Sequence, residues 1–349
     1  MLSKNRVSMA VLPFLVAFLL MAQGTMPESG AFTAMPFRYN YYEEQCERDV
    51  EEMVWSTMHR IVAMQHNAPA QLLRLLFHDC FIGGCDASVL LANSNKNGTV
   101  EREAIPNRTL KGFSFIDMIK DEIEEACPGV VSCSDILVLA TRDGIVLAGG
   151  PYYPVLTGRK DSKESFFDEA MAEIPRPNGN ISETLRLFSL RGFDERETVA
   201  LLGGHNIGKI GCEFIRPRLS NFMGTGLPDP TIPSDFLEEL KRDCPENNST
   251  INNMLNERTA RSLSESAVGA SFDNHYYKTL MRGRGLLFAD QQLMAHEKTA
   301  AAVIDYALDD GTMFRTEFAH AMAKLSDFGV LTGSQGEVRH SCSLPNSNQ

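Results

Sequence analysis

Residues 74–88, with the sequence RLLFHDCFIGGCDAS, constrain this chain more than any other segment. Arg74 lies four residues before His78, so on a helix the guanidinium and the imidazole occupy one face, one turn apart. A loop closed by Cys80 and Cys85 follows directly, and its two cysteines are close enough in sequence to pair. The segment therefore predicts a helix that carries a base beside a cation and ends in a covalently closed loop.

Helical periodicity dominates the rest of the chain, because apolar residues recur every three or four positions. Ser132 and Asp194 are each followed three residues later by an acid, which is typical of helix N-caps. Strand signals are few and short, and the sequence contains no internal repeat. We predict a mainly α fold in one compact unit, with helices at 46–64, 68–80, 113–126, 132–148, 194–203 and 314–325.

The N-terminus predicts a targeting signal. Lys4 and Arg6 precede an apolar run at 11–21, and small residues follow at 22–24. The run is too short for a membrane span, and no later stretch is longer. We expect a signal peptide at 1–24, cleavage between residues 24 and 34, and a secreted domain at 35–349. The net charge of −12 argues against nucleic acid as a partner.

Secretion changes how the eight cysteines are interpreted. An even number in an oxidising compartment predicts four disulfides. Proximity favours Cys80–Cys85, but the spacing alone leaves the other pairs open, since eight cysteines allow about 105 connectivities. A zinc site is the alternative, and it is disfavoured because the thiols are scattered along the chain.

Two histidines carry the predicted chemistry. His78 can accept and return a proton near neutral pH, while Arg74 stabilises developing negative charge, which suits cleavage of an O–O bond. His205 follows Gly203 and Gly204, which would let a flat ligand approach closely. An axial histidine of a haem needs an acceptor behind its ring, and Asp290 is the candidate.

Residues 72–91, LLRLLFHDCFIGGCDASVLL, resemble the distal signature of the class III secretory plant haem peroxidases. The likeness continues in order across roughly 300 residues. It includes CPGVVSC at 127–133, LLGGHNIG at 201–208, FDNHYY at 272–277 and ADQ at 289–291. The resemblance implies a mainly α plant haem-peroxidase fold in which a distal and a proximal helical half enclose a haem b.

The resemblance implies roles residue by residue. His78 resembles the distal acid–base, Arg74 the distal arginine and Asn107 the asparagine that holds the distal histidine. His205 resembles the axial iron ligand and Asp290 its partner. Phe77 and Phe214 fall at haem-pocket positions, and Pro175 falls where a proline carbonyl orients phenolic donors. The implied disulfides are Cys46–Cys127, Cys80–Cys85, Cys133–Cys342 and Cys212–Cys244.

Two calcium sites are implied, with different expectations. The distal ligands would be Asp79, Ile82, Gly84, Asp86 and Ser88, with Glu101 reaching through water; oxygen-rich sites of this kind suit calcium. The proximal ligands would be Asn206, Ser271 and Asp273. The family's threonine after the axial histidine is Asn206 here, and two more proximal positions fall at Glu265 and Val268, where aspartate and threonine are usual. We expect one firm calcium and a weak or empty second site.

The implied activity is oxidation of phenolic and other small one-electron donors by hydrogen peroxide through a ferryl intermediate. We expect a monomer. We expect it in the extracellular space or cell wall, because the seven residues after Cys342 form no long apolar extension. Sequons begin at Asn97, Asn107, Asn180, Asn247 and Asn248, and Asn107 is expected to be bare because its implied role is buried.

Two alternatives remain open at this stage. A haem-containing protein of low turnover would bind cell-wall polysaccharide through Arg216, Arg218, Lys241 and Arg242. The second alternative is a protein that has lost haem binding, and its retention of Arg74, His78, His205 and Asp290 argues against it. Asp327-Phe328-Gly329 looks like the magnesium motif of kinases, but no glycine-rich loop accompanies it.

Overall fold

The computed structural model describes residues 37–92, 99–245, 254–256 and 272–348. They form thirteen α-helices and one two-stranded antiparallel sheet, so the prediction of a mainly α fold is confirmed. The signal segment and the sequons at Asn97, Asn247 and Asn248 lie outside the described residues. In chain order the helices are α1 (Val50–Met64), α2 (Ala68–Cys80), α3 (Phe113–Ala126), α4 (Cys133–Leu147), α5 (Phe167–Glu173), α6 (Ile181–Ser189), α7 (Glu195–Leu202), α8 (Arg216–Ser220), α9 (Ser234–Asp243), α10 (His275–Met281), α11 (Phe288–Gln291), α12 (Glu297–Leu308) and α13 (Thr312–Ser326).

The first group of helices is built around α4, which packs against α1, α2 and α3. Nearly every side chain of α4 from Cys133 to Ile145 is buried, since neighbours cover it on several sides. Its start is fixed by Ser132, whose hydroxyl accepts a hydrogen bond from the Asp135 amide at 3.1 Å, as the sequence predicts. The predicted helix at 46–64 begins later, at Val50, because Asp49 caps it.

The second group packs α7 against α12 and α13, with α10 against α12. A capping box between Asp194 and Glu197 starts α7, which ends at Leu202. His205 follows in a short 3₁₀ turn, Gly203–Asn206. A Cβ added at Gly204 would lie 3.1 Å from Leu73, so this turn lies against α2 of the first group.

The two strands form a minor element beside the second group. Strands β1 (Lys209–Gly211) and β2 (Met254–Asn256) pair antiparallel, with Ile210 opposite Leu255. Among the described residues, every helix is too short or too polar to serve as a membrane span.

Four disulfides close the fold. The pairs are those that the family resemblance implies, and the prediction is confirmed: Cys46–Cys127, Cys80–Cys85, Cys133–Cys342 and Cys212–Cys244. Cys133–Cys342 joins residues 209 positions apart, so it ties the start of α4 to the C-terminal segment. Crosslinks of this span restrict the unfolded chain strongly.

The loop after α2 is shaped by glycines. Gly84 has φ +119°, and a Cβ there would collide with the backbone of Gly329. The Cys85 amide also donates to the Phe328 carbonyl at 3.0 Å. Asp327 pairs with the buried Arg159 at 3.3 Å. The Asp-Phe-Gly segment therefore packs against this loop as a structural element.

Candidate active site

The end of α2 presents His78 with a fixed tautomer. His78 Nδ1 lies 2.6 Å from Asn107 Oδ1, and Asn107 Nδ2 donates to the Glu101 carbonyl at 2.8 Å. Because the amide nitrogen must face that carbonyl, the amide oxygen must face the ring, so Nδ1 carries the proton. His78 therefore offers Nε2 as a base. The side chains of His78 and Asn107 are both buried.

Arg74 lies one turn before His78 on the same helix. Its guanidinium donates to the Pro106 carbonyl at 2.9 Å. Within the described ranges it has no carboxylate partner, and burial lowers the pKa of Arg74 to about 10. Burial and the charge of Arg74 together lower the pKa of His78 to about 3. The pair therefore combines a neutral base with a cation that is available to an anionic group.

His205 is held from behind by a carboxylate. Its Nδ1 lies 2.8 Å from Asp290 Oδ1, which also accepts the phenol of Tyr276 at 3.0 Å. The Leu287 amide donates to the other carboxylate oxygen at 3.3 Å. Burial opposes protonation of His205, but the charge and hydrogen bond of Asp290 raise its pKa above the usual value. An imidazole held this way is a strong donor through Nε2.

The two histidines lie close enough to interact electrostatically. Each has Nδ1 engaged, so each offers Nε2, and the charges of His205 and Arg74 affect the pKa of the opposite histidine. The side chain of His205 is 46% accessible, so part of the ring is not covered by protein. At Gly203, a Cβ would collide with the Tyr277 hydroxyl and the Phe314 ring, which explains the need for glycine. A partly uncovered imidazole close to a His–Arg pair fits a flat, iron-bearing ligand such as haem.

Three other residues are predicted to lie at the pocket, and all three are half-buried. Phe77 is half-buried, and its ring stacks on Phe81 at 4.7 Å. Phe214 is half-buried in a 3₁₀ turn after β1. Pro175 is half-buried in the loop after α5. Two residues further on, the Pro177 carbonyl accepts the Ala289 amide at 3.0 Å, which links this loop to the Asp290 segment.

The loop after α2 concentrates buried oxygens. Asp79 accepts the amides of Ala87 and Val89 at 3.0 and 3.4 Å. Burial and the neighbouring acids raise the pKa of Asp79, while burial raises that of Asp86 to about 6 and that of Glu101 to about 8.

Carboxylates that resist ionisation in this way need a counter-charge. Two oxygens of this loop, Ser88 Oγ and Glu101 Oε2, are buried without a hydrogen-bond partner in the described structure. Within the described ranges no three His, Cys, Asp or Glu side chains converge tightly enough to hold a metal alone. A cation here would also need the Ser88 hydroxyl and the carbonyls of Ile82 and Gly84. That mixed oxygen set fits calcium.

The second implied calcium site is only partly described, because Ser271, Glu265 and Val268 lie outside the described residues. Asn206 Nδ2 donates to the Asp273 carbonyl, and Asn206 Oδ1 is buried without a partner. Asp273 Oδ1 accepts the His275 amide at 2.8 Å and lies 2.6 Å from the His275 ring. A cation at this site would compete with His275 for the carboxylate.

The basic patch of the wall-binding alternative needs a correction. Arg218 is buried and bonds Asp229 at 2.9 Å and the Gly285 carbonyl at 2.7 Å, so it cannot contact a polysaccharide. Its guanidinium connects α8 to the loop before α11 and is structural. Arg216 and Lys241 do line one surface groove.

A mostly helical fold that brings a His–Arg pair within electrostatic reach of a His–Asp pair has the arrangement of an oxidoreductase of the peroxidase type. The family model described as Peroxidase matches residues 54–309. The chain therefore belongs to the peroxidase family, in its class III plant branch, and is a peroxidase enzyme.

Relatives from Arabidopsis thaliana cover most of the chain. Peroxidase 22 is 42% identical over 79% of this chain and 78% of its own length. Peroxidase 49 is 41% identical over 88% and 90%, and Peroxidase 39 is 37% identical over 90% and 94%. Members of this family generally bind haem and calcium and use hydrogen peroxide with small donors.

Two contacts in this region escape prediction from the sequence. Tyr276 shares Asp290 with His205, and its ring stands edge-on to the imidazole at 6.2 Å. His275 binds Asp273. Both residues lie in the FDNHYY motif, so the motif signals that the segment matters. The spacing does not indicate which side chain turns toward which partner.

Proposed function

We propose that this peroxidase binds one haem b through Nε2 of His205 and uses hydrogen peroxide to oxidise phenolic donors outside the cell. One observation carries the proposal: two histidines from distant segments each have Nδ1 bound to an oxygen, which leaves Nε2 available, and the two rings lie close enough to interact electrostatically. One of them has a carboxylate behind it, which suits a metal ligand, while the other has a neutral amide, which suits a base.

His205 would bind the iron, with Asp290 fixing the ring and increasing its donation. Tyr276 donates to the same carboxylate oxygen and so limits the charge that Asp290 presents to the imidazole. A bound haem would supply the two electrons that reduce peroxide and would regain them one at a time from the donors.

His78 would move the proton that bond cleavage requires. Its neutral Nε2 would take a proton from one oxygen of hydrogen peroxide and deliver it to the other oxygen, which would leave as water. The low pKa of His78 keeps Nε2 unprotonated at neutral pH, and Arg74 stabilises the negative charge that develops before the second transfer. Asn107 positions the ring for both transfers.

The oxygen-rich loop would hold one calcium through Asp79, Ile82, Gly84, Asp86 and Ser88, with Glu101 nearby. Asp79 follows His78 directly, so the ion would stabilise the end of α2 where the base is attached. The proximal site at Asn206, Ser271 and Asp273 would be weak or empty, because His275 already binds the Asp273 carboxylate.

Residues 1–24 would act as a signal peptide, which would direct the domain at 35–349 to the extracellular space or wall. Four disulfides suit that compartment. Phenolic donors would approach the haem edge beside Pro175. Cross-linking of wall phenolics, lignification, peroxide removal and stress responses are the roles that this chemistry serves.

Replacing His78 by alanine tests the proposal. The variant should bind haem normally but react with peroxide about 100- to 10,000-fold more slowly, because acid–base help of this size is lost. Stopped-flow absorbance of the haem-loaded protein measures the step. His59→Ala is the matched control, since His59 is an exposed histidine on α1. A His78→Ala rate within a few-fold of the control's would contradict the assignment.

A further inference from the structure

A row of tyrosine rings leads away from the axial histidine. The Tyr276 ring stands 6.2 Å from His205, centroid to centroid. Tyr277 follows 5.1 Å from Tyr276, and Tyr306 follows 4.9 Å from Tyr277. All three tyrosines are buried. Neighbouring rings at these distances are in van der Waals contact, so the row connects the iron side of the site to α12 without a gap.

The phenols of the row differ in where a proton could go. Tyr276 donates to Asp290, which already accepts from His205. Tyr277 donates to the backbone carbonyl of Val199 at 3.0 Å, and a carbonyl oxygen is far too weak a base to take the proton.

The phenol at the far end has a different acceptor. Tyr306 donates a hydrogen bond to the Glu317 carboxylate, and a carboxylate can take the proton. Glu317 is 31% accessible, so a proton received there can exchange with water.

Loss of an electron makes a phenol strongly acidic, so a tyrosine is oxidised readily only where its proton has an acceptor. By that criterion Tyr277 is a bridge. Tyr276 also has a carboxylate acceptor, but Asp290 is buried and already accepts hydrogen bonds from His205 and the Leu287 amide. Tyr306, whose acceptor reaches water, is therefore the end point. The next ring after Tyr306 supports its place as the end point. Phe314, at 6.0 Å, has no hydroxyl to lose and is harder to oxidise. Arg196 binds both carboxylate oxygens of Glu317, at 2.6 and 2.9 Å, and so holds the acceptor beside the phenol.

We propose that Tyr306 is an internal oxidation site of this enzyme, which gives one electron to the peroxide-oxidised haem by way of Tyr277 and Tyr276 while its phenolic proton passes to Glu317. The haem is reduced by one electron, and the products on the protein are a neutral tyrosyl radical and a protonated carboxyl group. This inference rests on the proposed haem at His205.

The site would hold an oxidising equivalent away from the haem when donors are scarce. Tyr306 has no accessible surface, so a radical there is shielded from coupling with molecules in solution. Return of the electron from a later donor, with return of the proton from Glu317, restores the phenol.

The experiment mixes haem-loaded protein with hydrogen peroxide in the absence of any donor and freezes it rapidly for electron paramagnetic resonance. Wild type should show a tyrosyl radical. Tyr306→Phe keeps the ring and should lose that signal. Glu317→Gln should lose it as well, because the amide cannot take the proton.

Tyr42→Phe is the matched control. Tyr42 is also buried and its phenol also donates to a carboxylate, Asp135, at 2.5 Å. Its ring contact is with Tyr41, outside the row. The control should keep the full radical signal. Circular dichroism and haem content should match wild type in every variant compared.

The outcomes separate the two proposals. Haem oxidation seen by stopped-flow, with a radical signal that is identical in wild type and Tyr306→Phe, overturns the inference and leaves the peroxidase assignment standing. Loss of the signal in Tyr42→Phe also overturns it, because the radical would then lie outside the row. Failure of peroxide to oxidise the haem at all would overturn the proposed function and this inference with it.

Discussion

Replacing Asn107 by alanine should slow the reaction with peroxide while leaving the haem bound. The Asn107 side chain is 2% exposed and serves two buried partners, His78 Nδ1 at 2.6 Å and the Glu101 carbonyl at 2.8 Å. Alanine leaves both without a partner, and each loss costs about 1–3 kcal/mol. Only the His78 contact bears on proton transfer. A loss of about 1–3 kcal/mol there corresponds to a rate about 5- to 160-fold lower.

The assay is stopped-flow oxidation of the haem-loaded variant by peroxide, with haem affinity measured alongside. Asn180→Ala is the matched control, because Asn180 also begins a sequon and also accepts a hydrogen bond, from the Glu183 amide at 2.9 Å. Loss of that N-cap should cost about 1 kcal/mol of stability and leave the rate unchanged. An Asn107→Ala rate within twofold of the control's would refute the positioning role. Mass spectrometry should find no glycan on Asn107.

Three further outcomes are expected. Gly84→Ala should lower the free energy of unfolding by at least about 1–3 kcal/mol, because its φ of +119° suits only glycine and its Cβ would collide with a neighbouring backbone. Thermal melts measure the loss. Gly192→Ala is the control and should cost less, because Gly192 has φ +79° but open space around it. Removing Cys133–Cys342 by paired alanine substitutions should cost about 5 kcal/mol, since the bridge spans 209 residues; an unchanged melting temperature would contradict this. Metal analysis after gentle chelation should find about one calcium per haem, held beside Asp86, whereas two firmly held ions would show that the proximal site is intact.

The sequence predicts the long helices well because their periodicity and caps are local signals. The predicted bounds 68–80 and 113–126 coincide with α2 and α3, and the caps at Ser132 and Asp194 form as predicted. The twelve-residue α12 is missed. Helices such as α8 and α11 are missed as well, because four or five residues carry no period of their own. Tertiary contacts decide whether such short segments become helical.

The site residues also divide into those whose proximity follows from local spacing and those that only the fold brings together. Arg74 and His78 are one turn apart on one helix, so their proximity follows from spacing. His205 and Asp290 are separated by 85 residues, and only the family resemblance pairs them before the fold is known. Tyr276 and Glu317 matter because of the rings and hydrogen-bond partners that the fold brings beside them. These tertiary contacts leave no periodic signal in a single sequence.

The central claim, that His205 holds a haem, is tested most directly by titrating haem into the protein and recording its absorption spectrum. Wild type and His320→Ala, which removes an exposed histidine on α13, should both develop the intense band of protein-bound ferric haem at one haem per chain. His205→Ala should not develop it at the same haem concentration, and added imidazole should restore it by supplying the missing ligand. A His205→Ala spectrum indistinguishable from wild type, with no response to imidazole, would contradict the account.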